Sequence, residues 1–241
     1  MRISDLAELS GLSVALVYQV AAFARERANT FGRPRMLSHL REVLLVLVWL
    51  KLGSTEAELA LFFGVSQPTV HRIIHRLLPR ISQVFQDSEP VDSKEHLLLD
   101  GTLVSLADHS HAAYCRIRRR AVNIQVVTDV RKQVLFVSEA WGGNRHDITM
   151  AKEVLPNWDA VYKTDGGYRS VPNCILPPKC NPKALYRHRK IRSRVEHVLA
   201  RLKDWRILRQ CRIRGGKINQ VIKAIAGLYN LKNSHTQLLM N

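Results

Sequence analysis

Four acidic residues stand in settings that could position a carboxylate beside a ligand. Asp100 follows a run of three leucines and precedes a glycine, and Asp165 follows an apolar segment and precedes two glycines. Glu196 lies in a basic helical stretch, and Asp147 follows the run Gly-Gly-Asn-Arg-His. A carboxylate at the end of a buried strand projects into a crevice, and a neighbouring glycine leaves room for a ligand.

Carboxylates from separate elements that converge near a basic surface suit phosphodiester chemistry. That reaction needs an activated oxygen nucleophile and a stabilised leaving oxygen, which two divalent cations about 3.5–4 Å apart can supply. Mg²⁺ and Mn²⁺ prefer carboxylate oxygens and water as ligands. Plainer roles stay open for each acid. Asp100 or Asp165 could cap a turn, Asp147 could be the N-cap of a following helix, and Glu196 could only pair with Arg192.

The surroundings of Glu196 are strongly basic. Residues 186–217 contain twelve Lys or Arg but only two acids. At 100° per residue, Arg192, Glu196 and Lys203 fall within about 40° of one another on a helix. The adjoining apolar stripe would pack that helix down and consists of Ile191, Val195, Val198 and Leu202. We therefore expect Glu196 at the edge of the buried face, beside the sheet, with Arg192 and Lys203 holding phosphate near it. A solvated basic helix face is the alternative.

Residues 55–77 have the pattern of a helix-turn-helix. Thr55 and Glu58 form a capping box, Gly64 suits a tight turn, and Ser66 can cap a second helix that has Pro68 in its first turn. The expected apolar face contains Leu59, Phe62, Phe63, Val70, Ile73, Ile74 and Leu77. Polar side chains at the start of the second helix are placed to meet base edges and phosphates. The candidate DNA-binding residues there are Gln67, Thr69, His71, Arg72 and Arg76; an ordinary helical hairpin is the alternative.

The beginning of the chain resembles this module. Residues 5–13 and Val17 align with residues 58–66 and Val70 at a constant offset of 53. Two degenerate helix-turn-helix units and a chance likeness between amphipathic hairpins are both compatible with the pattern.

The elements that must position these residues change type along the chain. Residues 1–85 show a helical period, and Ser88-Glu89-Pro90 marks a break. Predicted strands follow at 96–99, 113–117, 121–127, 134–137 and 160–163, and the alternation of Val122–Val126 predicts a half-buried strand. A helix should follow Asp147, and two more should span about 186–209 and 217–238. We expect an α/β domain over residues 89–241, preceded by an all-α module over residues 1–88.

Composition narrows the classes of function. The 37 Lys and Arg against 20 Asp and Glu give a net charge of +17, which predicts a polyanionic partner. The longest apolar run, Val43–Leu50, is too short to span a bilayer, so no membrane partner is expected. Four cysteines do not suggest a disulfide scaffold. Cys174, Cys180 and His188 could bind zinc, but their spacing is unusual for it. No phosphate-binding glycine loop and no Ser or Cys nucleophile motif is present.

Four blocks in order make the chain similar to a known family. Asp100-Gly101-Thr102, Gly143–Asp147, Asp165–Tyr168 and Arg192-x3-Glu196-x6-Lys203 resemble the DDE-superfamily transposases, in particular the insertion-sequence and PIF/Harbinger-like branch. In the related pattern a Tyr stands three residues before the Arg of the last block; here that position is Arg189, with Tyr186 nearby.

The resemblance implies a ribonuclease H-like mixed-sheet domain and metal-dependent cutting and joining of DNA at transposon ends. It implies that Asp100, Asp165 and Glu196 are the catalytic metal ligands for Mg²⁺ or Mn²⁺, with Asp147 as a possible fourth. The partners would be transposon-end and target DNA, with a homodimer in the DNA complex. The location would be cytoplasmic on the nucleoid, or nuclear in a eukaryote. A non-catalytic DNA-binding regulator derived from a transposase and a structured-RNA binder are the alternatives.

Overall fold

The computed structural model describes residues 2–25, 35–88, 96–107, 113–115, 119–209, 211–213 and 216–240. Glu89 and Pro90 of the expected break, residues 116–117 of an expected strand and Arg214 of the basic stretch lie outside the described residues. The elements in chain order are α1 (Ile3–Ser10), α2 (Val14–Phe23), α3 (His39–Leu52), α4 (Glu56–Phe63), α5 (Gln67–Ser82), β1 (Leu97–Ser105), β2 (Ala113–Cys115), β3 (Arg119–Thr128), β4 (Val134–Val137), β5 (Trp141–Gly142), α6 (Asp147–Val154), β6 (Tyr162–Lys163), β7 (Cys174–Ile175), α7 (Pro182–Lys203) and α8 (Ile218–Met240), with 3-10 turns at Gly166–Tyr168 and Arg206–Leu208.

The chain forms two compact units. Unit 1 contains Met1–Phe85, Asp204–Leu208 and Gln220–Asn241, and unit 2 contains Gln86–Lys203 and Arg209–Asn219. The predicted second domain includes all of residues 204–241, whereas packing places Asp204–Leu208 and most of α8 in the helical unit. The reason is the apolar face of α8, which is buried at Val221, Ile222, Ala224, Ile225, Ala226 and Leu228. Gly227 allows the approach, because a Cβ there would lie 2.8 Å from the backbone nitrogen of Phe85.

Helix α3 forms the centre of unit 1. Every residue from Glu42 to Leu50 is buried, and a helix that is apolar on all sides belongs in a core. Glu42 is the polar exception, and its Oε2 lies 3.2 Å from Arg35 Nη1 and 2.7 Å from Arg76 Nη2. Among the described helices, no single one is long and apolar enough to cross a bilayer; α1 and α2 reach that length only together, across an 87° bend.

Helices α4 and α5 form the predicted helix–turn–helix. The Thr55 backbone N–H donates to Glu58 Oε2 (2.6 Å), and the Glu58 N–H donates to Thr55 Oγ1 (3.2 Å), as expected of a capping box. Gly64 has a φ of 67°, a left-handed conformation that glycine adopts at little cost. Two details differ from expectation. Phe62 is 45% exposed, and the buried residues of α4 are Leu59, Ala60 and Phe63. Ser66 bonds Thr69 Oγ1 (2.9 Å) instead of a backbone N–H.

The 53-residue offset is also a structural repeat. Helix α1 covers residues 3–10 and α4 covers 56–63, the left-handed glycines are Gly11 and Gly64, and the second helices start at Val14 and Gln67. Val17 and Val70 occupy the same position and are both fully buried. The likeness therefore extends to helix bounds, turn conformation and core positions.

Unit 2 contains a mixed sheet in the order β2-β3-β1-β6-β7, with β4 and β5 also paired to β3. Strand β1 runs antiparallel to β3 and parallel to β6. This mixed sheet with flanking helices, following a helical module, confirms the predicted α/β, ribonuclease H-like class. Helix α7 begins at Pro182, earlier than predicted, because Asn181 Oδ1 accepts from the Ala184 N–H and Pro182 suits the first helical position.

Candidate active site

Asp100 and Asp165 lie at matching positions on two adjacent strand paths. The last parallel pair between β1 and β6 is Leu98↔Lys163, and each acid is two residues beyond it. Asp165 keeps an extended backbone (φ −84°, ψ −175°), so it continues the direction of β6. Side chains two residues apart on a strand point to the same face. The parallel register therefore directs both carboxylates to one region. Asp100 itself lies inside β1, which continues to Ser105, so the predicted position at a strand end is wrong.

Asp100 is partly buried and lies close to other carboxylates. Burial raises the pKa of Asp100 to about 6, against the lowering effect of the Arg192 guanidinium, and the negative charges of Asp165 and Asp147 add to the rise. The Gly101 N–H donates to Asp100 Oδ1 at 3.0 Å, and the Gly167 N–H donates to Asp165 Oδ1 at 2.8 Å. Each of these bonds occupies one oxygen of its carboxylate. The turn-capping role left open above is therefore met at Asp165, which caps the 166–168 turn, whereas Asp100 lies inside β1 and caps no turn.

Asp147 is held by amides of the neighbouring strand. It is the first residue of α6, whose N-cap is His146, so it is not itself the N-cap. Its Oδ1 accepts from Asn123 Nδ2 (2.7 Å) and Gln125 Nε2 (2.9 Å). Gln125 Oε1 in turn accepts from the hydroxyl of Tyr168 (2.6 Å). The chain Tyr168–Gln125–Asp147 fixes this carboxylate from a buried tyrosine outward.

The strand that supplies these amides is buried on both faces. Asn123 is 5% exposed and Gln125 is 0% exposed, and the alternating Val122, Ile124 and Val126 are buried as well. The half-buried strand expected from the alternation is therefore wrong. Its polar side is covered by α6 and the 166–168 turn, and it uses the amides to hold Asp147.

Gly101 makes room for this arrangement. It pairs across the sheet with Gln125. A Cβ at Gly101 would overlap Asp147 Oδ1 and lie 2.7 Å from Gln125 Nε2. The glycine next to Asp100 is thus required by Asp147, and it lets the two acids approach the same strand.

Glu196 joins the group through Arg192. Arg192 Nη1 donates to Asp100 Oδ2 at 3.3 Å, and its Nη2 donates to Glu196 Oε1. The Arg192 side chain is 19% exposed and that of Glu196 is 50% exposed, so Glu196 lies farther out than the buried-edge position predicted for it. Val195, Val198 and Leu202 are buried as predicted, and buried His188 bonds the carbonyl oxygen of Thr164 (2.9 Å), next to Asp165. These contacts hold α7 beside Asp100 in β1 and beside Thr164, which follows β6.

Some predicted neighbours are farther apart. Lys203 is the last residue of α7, seven residues and therefore about 10 Å along the axis from Glu196. Within the described ranges, the one group of three potential metal ligands whose ligand atoms all lie within 4.8 Å of one another is Glu56, His71 and His75. The described acids of unit 2 do not form such a group, and the Arg192 guanidinium lies between Asp100 and Glu196. Cys174, Cys180 and His188 do not form such a group either, and both cysteines are free thiols.

The predicted DNA-binding residues of α5 fall into two sets. Gln67, His71 and Arg72 are exposed, and Thr69 is half-buried near the start of the helix. Arg72 remains on its own helix, where Nε donates to the Pro68 carbonyl oxygen (3.1 Å). Arg76, by contrast, forms the ion pair with buried Glu42. The exposed set is therefore the part of α5 that is available to a ligand.

The residues that support the site but were not predicted are either uncharged or far along the chain from their partners. Asn123 and Gln125 were visible only as the polar members of an alternating strand, and Tyr168 only as the end of an acidic block. Glu42 lies in an apolar helix, where a lone carboxylate is a sign of a buried ion pair. Its partners are 7 and 34 residues away, a spacing that no local pattern reveals.

Comparison with known proteins identifies the family of the chain. A family model described as "DDE superfamily endonuclease" matches residues 99–230, and one described as "Helix-turn-helix of DDE superfamily endonuclease" matches residues 35–86. The chain belongs to the DDE superfamily of endonucleases. It is 34% identical, over 95% of its length and 94% of the other protein, to a protein assigned as a transposase for insertion sequence element IS112 in Streptomyces albus G. Its general class is that of a DNA-binding transposase and nuclease.

Proposed function

We propose that the chain cleaves and joins phosphodiester bonds at transposon ends in a metal-dependent reaction. The observation that carries this proposal is the matched placement of Asp100 and Asp165, two residues beyond the last β1–β6 pair, with Asp147 and the Arg192–Glu196 pair beside them. Asp100, Asp165 and Glu196 would be the catalytic metal ligands, and Asp147 a fourth.

The donor set fits a hard divalent cation. Three carboxylates interact electrostatically at Asp100, and the resulting excess of negative charge in a partly buried place is what Mg²⁺ or Mn²⁺ would relieve. When bound, the cations would supply an activated oxygen nucleophile and a stabilised leaving oxygen. We assign the holding of the cation to Asp100, Asp165 and Glu196.

The remaining residues of the site orient and neutralise. Asn123 and Gln125 hold the Asp147 side chain in one rotamer. Its negative charge is therefore already in place beside the other acids. Arg192 compensates Asp100 and Glu196 in the free protein. With a divalent cation balancing the charge of these acids, the Arg192 guanidinium would be able to donate to a DNA phosphate. Lys203, farther along the same helix, would also hold phosphate.

Recognition of the ends would belong to the first domain and cleavage to the second. Gln67, Thr69, His71 and Arg72 would contact DNA from the start of α5. Arg76 enters the proposal as a positioning residue, because its guanidinium already pairs with Glu42. A homodimer on paired ends and a location on chromosomal DNA complete the proposal.

The test is a nicking assay on a duplex that carries the ends of the chain's own element. We expect strand cleavage with Mg²⁺ or Mn²⁺, none with EDTA, and none from Asp100→Ala or Glu196→Ala protein that still binds the duplex. Cleavage at the wild-type rate by either variant would contradict the assignment. Binding without cleavage by the wild-type chain would instead support a non-catalytic DNA-binding regulator. Preference for an RNA duplex over DNA would support a structured-RNA binder.

A further inference from the structure

A second group of metal-ligand side chains lies in the helix–turn–helix of unit 1. Glu56 is at the start of α4, and His71 and His75 are one turn apart on α5. His71 Nδ1 lies 2.9 Å from Glu56 Oε1, and the two imidazole rings stack with centroids 3.9 Å apart. One ligand atom from each of the three lies within 4.8 Å of the other two.

The spacing fits a tetrahedral transition-metal ion. Zn²⁺ binds His nitrogen and carboxylate oxygen at about 2.0–2.2 Å, which separates neighbouring ligands of a tetrahedron by about 3.4 Å. The separation of 2.9 Å between Glu56 Oε1 and His71 Nδ1 is shorter than that value, and all three separations are within 4.8 Å. Two histidines four residues apart on a helix share one face. All three side chains are at least partly exposed, so small rotations can bring them to one ion.

Glu56 is not needed for capping. The capping of α4 is complete with Thr55 and Glu58, whose two reciprocal bonds use the Thr55 hydroxyl and the Glu58 carboxylate. The Glu56 carboxylate points instead across the turn to α5, where its Oε1 contacts His71 Nδ1. A carboxylate and two imidazoles are ligands that suit Zn²⁺, whereas the all-carboxylate set of unit 2 suits Mg²⁺ and Mn²⁺.

We propose that Glu56, His71 and His75 form a binding site for Zn²⁺ or a similar transition-metal dication. The ion would join the first and second helices of the helix–turn–helix and keep a fourth position for water or a DNA phosphate oxygen. With the ion bound, His71 would be a metal ligand beside α4 instead of a DNA contact, and Gln67, Thr69 and Arg72 would be the DNA contacts of α5. This site does not depend on the proposed cleavage, because metal binding is measured without DNA.

The experiment uses the full chain with Asp100→Asn and Asp165→Asn, so that the acidic site does not bind the probe. Co²⁺ is the spectroscopic probe, because tetrahedral Co²⁺ absorbs visible light far more strongly than the hydrated ion. Zn²⁺ then competes for the same site and raises the Tm as a native-state ligand does. We expect one Co²⁺ per chain in this background.

The cluster variants are H71A, H75A and E56Q, and the control is H235A, a histidine on a different helix of the same unit. We expect each cluster variant to lower Co²⁺ affinity at least about tenfold and to remove the Zn²⁺-dependent Tm shift, while H235A matches the parent. H71Q and H75Q, which preserve size and polarity, repeat the test if an alanine variant fails to fold. Absence of tetrahedral Co²⁺ absorption in the parent, or unchanged affinity in the cluster variants, would overturn the proposal.

Discussion

The acidic site and the recognition helix use polar side chains in opposite ways. In the acidic site, Asp147 is fixed by buried amides, and Asp100 is 18% exposed and bonded to Arg192. On α5, Gln67 and Arg72 stand in solvent, while the helix itself is fixed by its buried apolar stripe. The first region immobilises the chemical groups themselves, and the second immobilises only the element that bears them.

The difference teaches where each task tolerates motion. Catalysis needs groups held to a fraction of an ångström, because orientation supplies much of the rate. Recognition of a long polymer can use adaptable side chains on a rigid helix. Changes in the acidic site should therefore lower the cleavage rate with little effect on binding, and changes on α5 should do the reverse.

The largest effect should come from Asp100→Asn, which preserves size and removes the charge. We expect single-turnover cleavage to fall by about 10³-fold or more, since loss of a group central to the reaction has effects of that order. DNA affinity, measured by fluorescence anisotropy, should stay within about twofold. A variant that loses binding and cleavage together would remove the contrast between the two regions.

Gly101→Ala tests whether the acids are held by close packing. The new Cβ would overlap Asp147 Oδ1, so we expect a loss of about 1–3 kcal/mol in the free energy of unfolding, the range for overpacking, and slower cleavage. Urea denaturation gives the stability. The matched control is Gly166→Ala, where a Cβ would meet nothing within 4 Å, and a loss there as large as at Gly101 would refute the packing argument.

Arg72→Ala tests the recognition helix. We expect DNA affinity to fall about tenfold, or 1.4 kcal/mol, and the slope of log affinity against log salt to decrease by about 0.9 if Arg72 neutralises one phosphate. The structural repeat provides the control, because exposed Gln19 occupies the equivalent position on α2. Gln19→Ala should bind DNA as the wild type does, and equal losses in both variants would show that α5 has no special role.

Tyr168→Phe should have the smallest effect on function. It removes the hydroxyl that donates to Gln125 Oε1 and leaves a buried acceptor unpaired, which costs about 1–2 kcal/mol. We expect that loss in urea denaturation, with a modest decrease in cleavage rate because Asp147 is still held by Asn123. An unchanged free energy of unfolding would mean that the Tyr168–Gln125 bond contributes nothing.

Local patterns were enough for much of the fold. Caps and turns depend on residues three or four apart in the sequence. Local patterns therefore predicted the capping box of α4, the left-handed glycine and the start of α5. The 53-residue likeness was readable as a pattern, although only the coordinates distinguish a repeat from chance. The unit to which α8 belongs could not be predicted. Its sequence shows that the helix has an apolar face, but not which unit that face packs against.

The site was predictable in composition but not in contacts. Asp100 and Asp165 could be chosen because each follows an apolar segment and precedes glycine. The dependence of Asp147 on Asn123 and Gln125 could not be foreseen, since those amides are 24 and 22 residues away across the sheet. The same limit applies to the ion pair of Arg76 with buried Glu42, which joins residues 34 apart in the sequence.

The central claim is that Asp100 holds the divalent cation used in DNA cleavage. Asp100→Cys replaces a hard oxygen ligand with a soft sulfur, which Mg²⁺ binds poorly and Mn²⁺ accepts better. We predict that this variant does not cleave end-bearing DNA in Mg²⁺ and regains cleavage in Mn²⁺, while Asp100→Ala stays inactive with both ions. Cleavage by Asp100→Cys in Mg²⁺ at the wild-type rate would contradict the account.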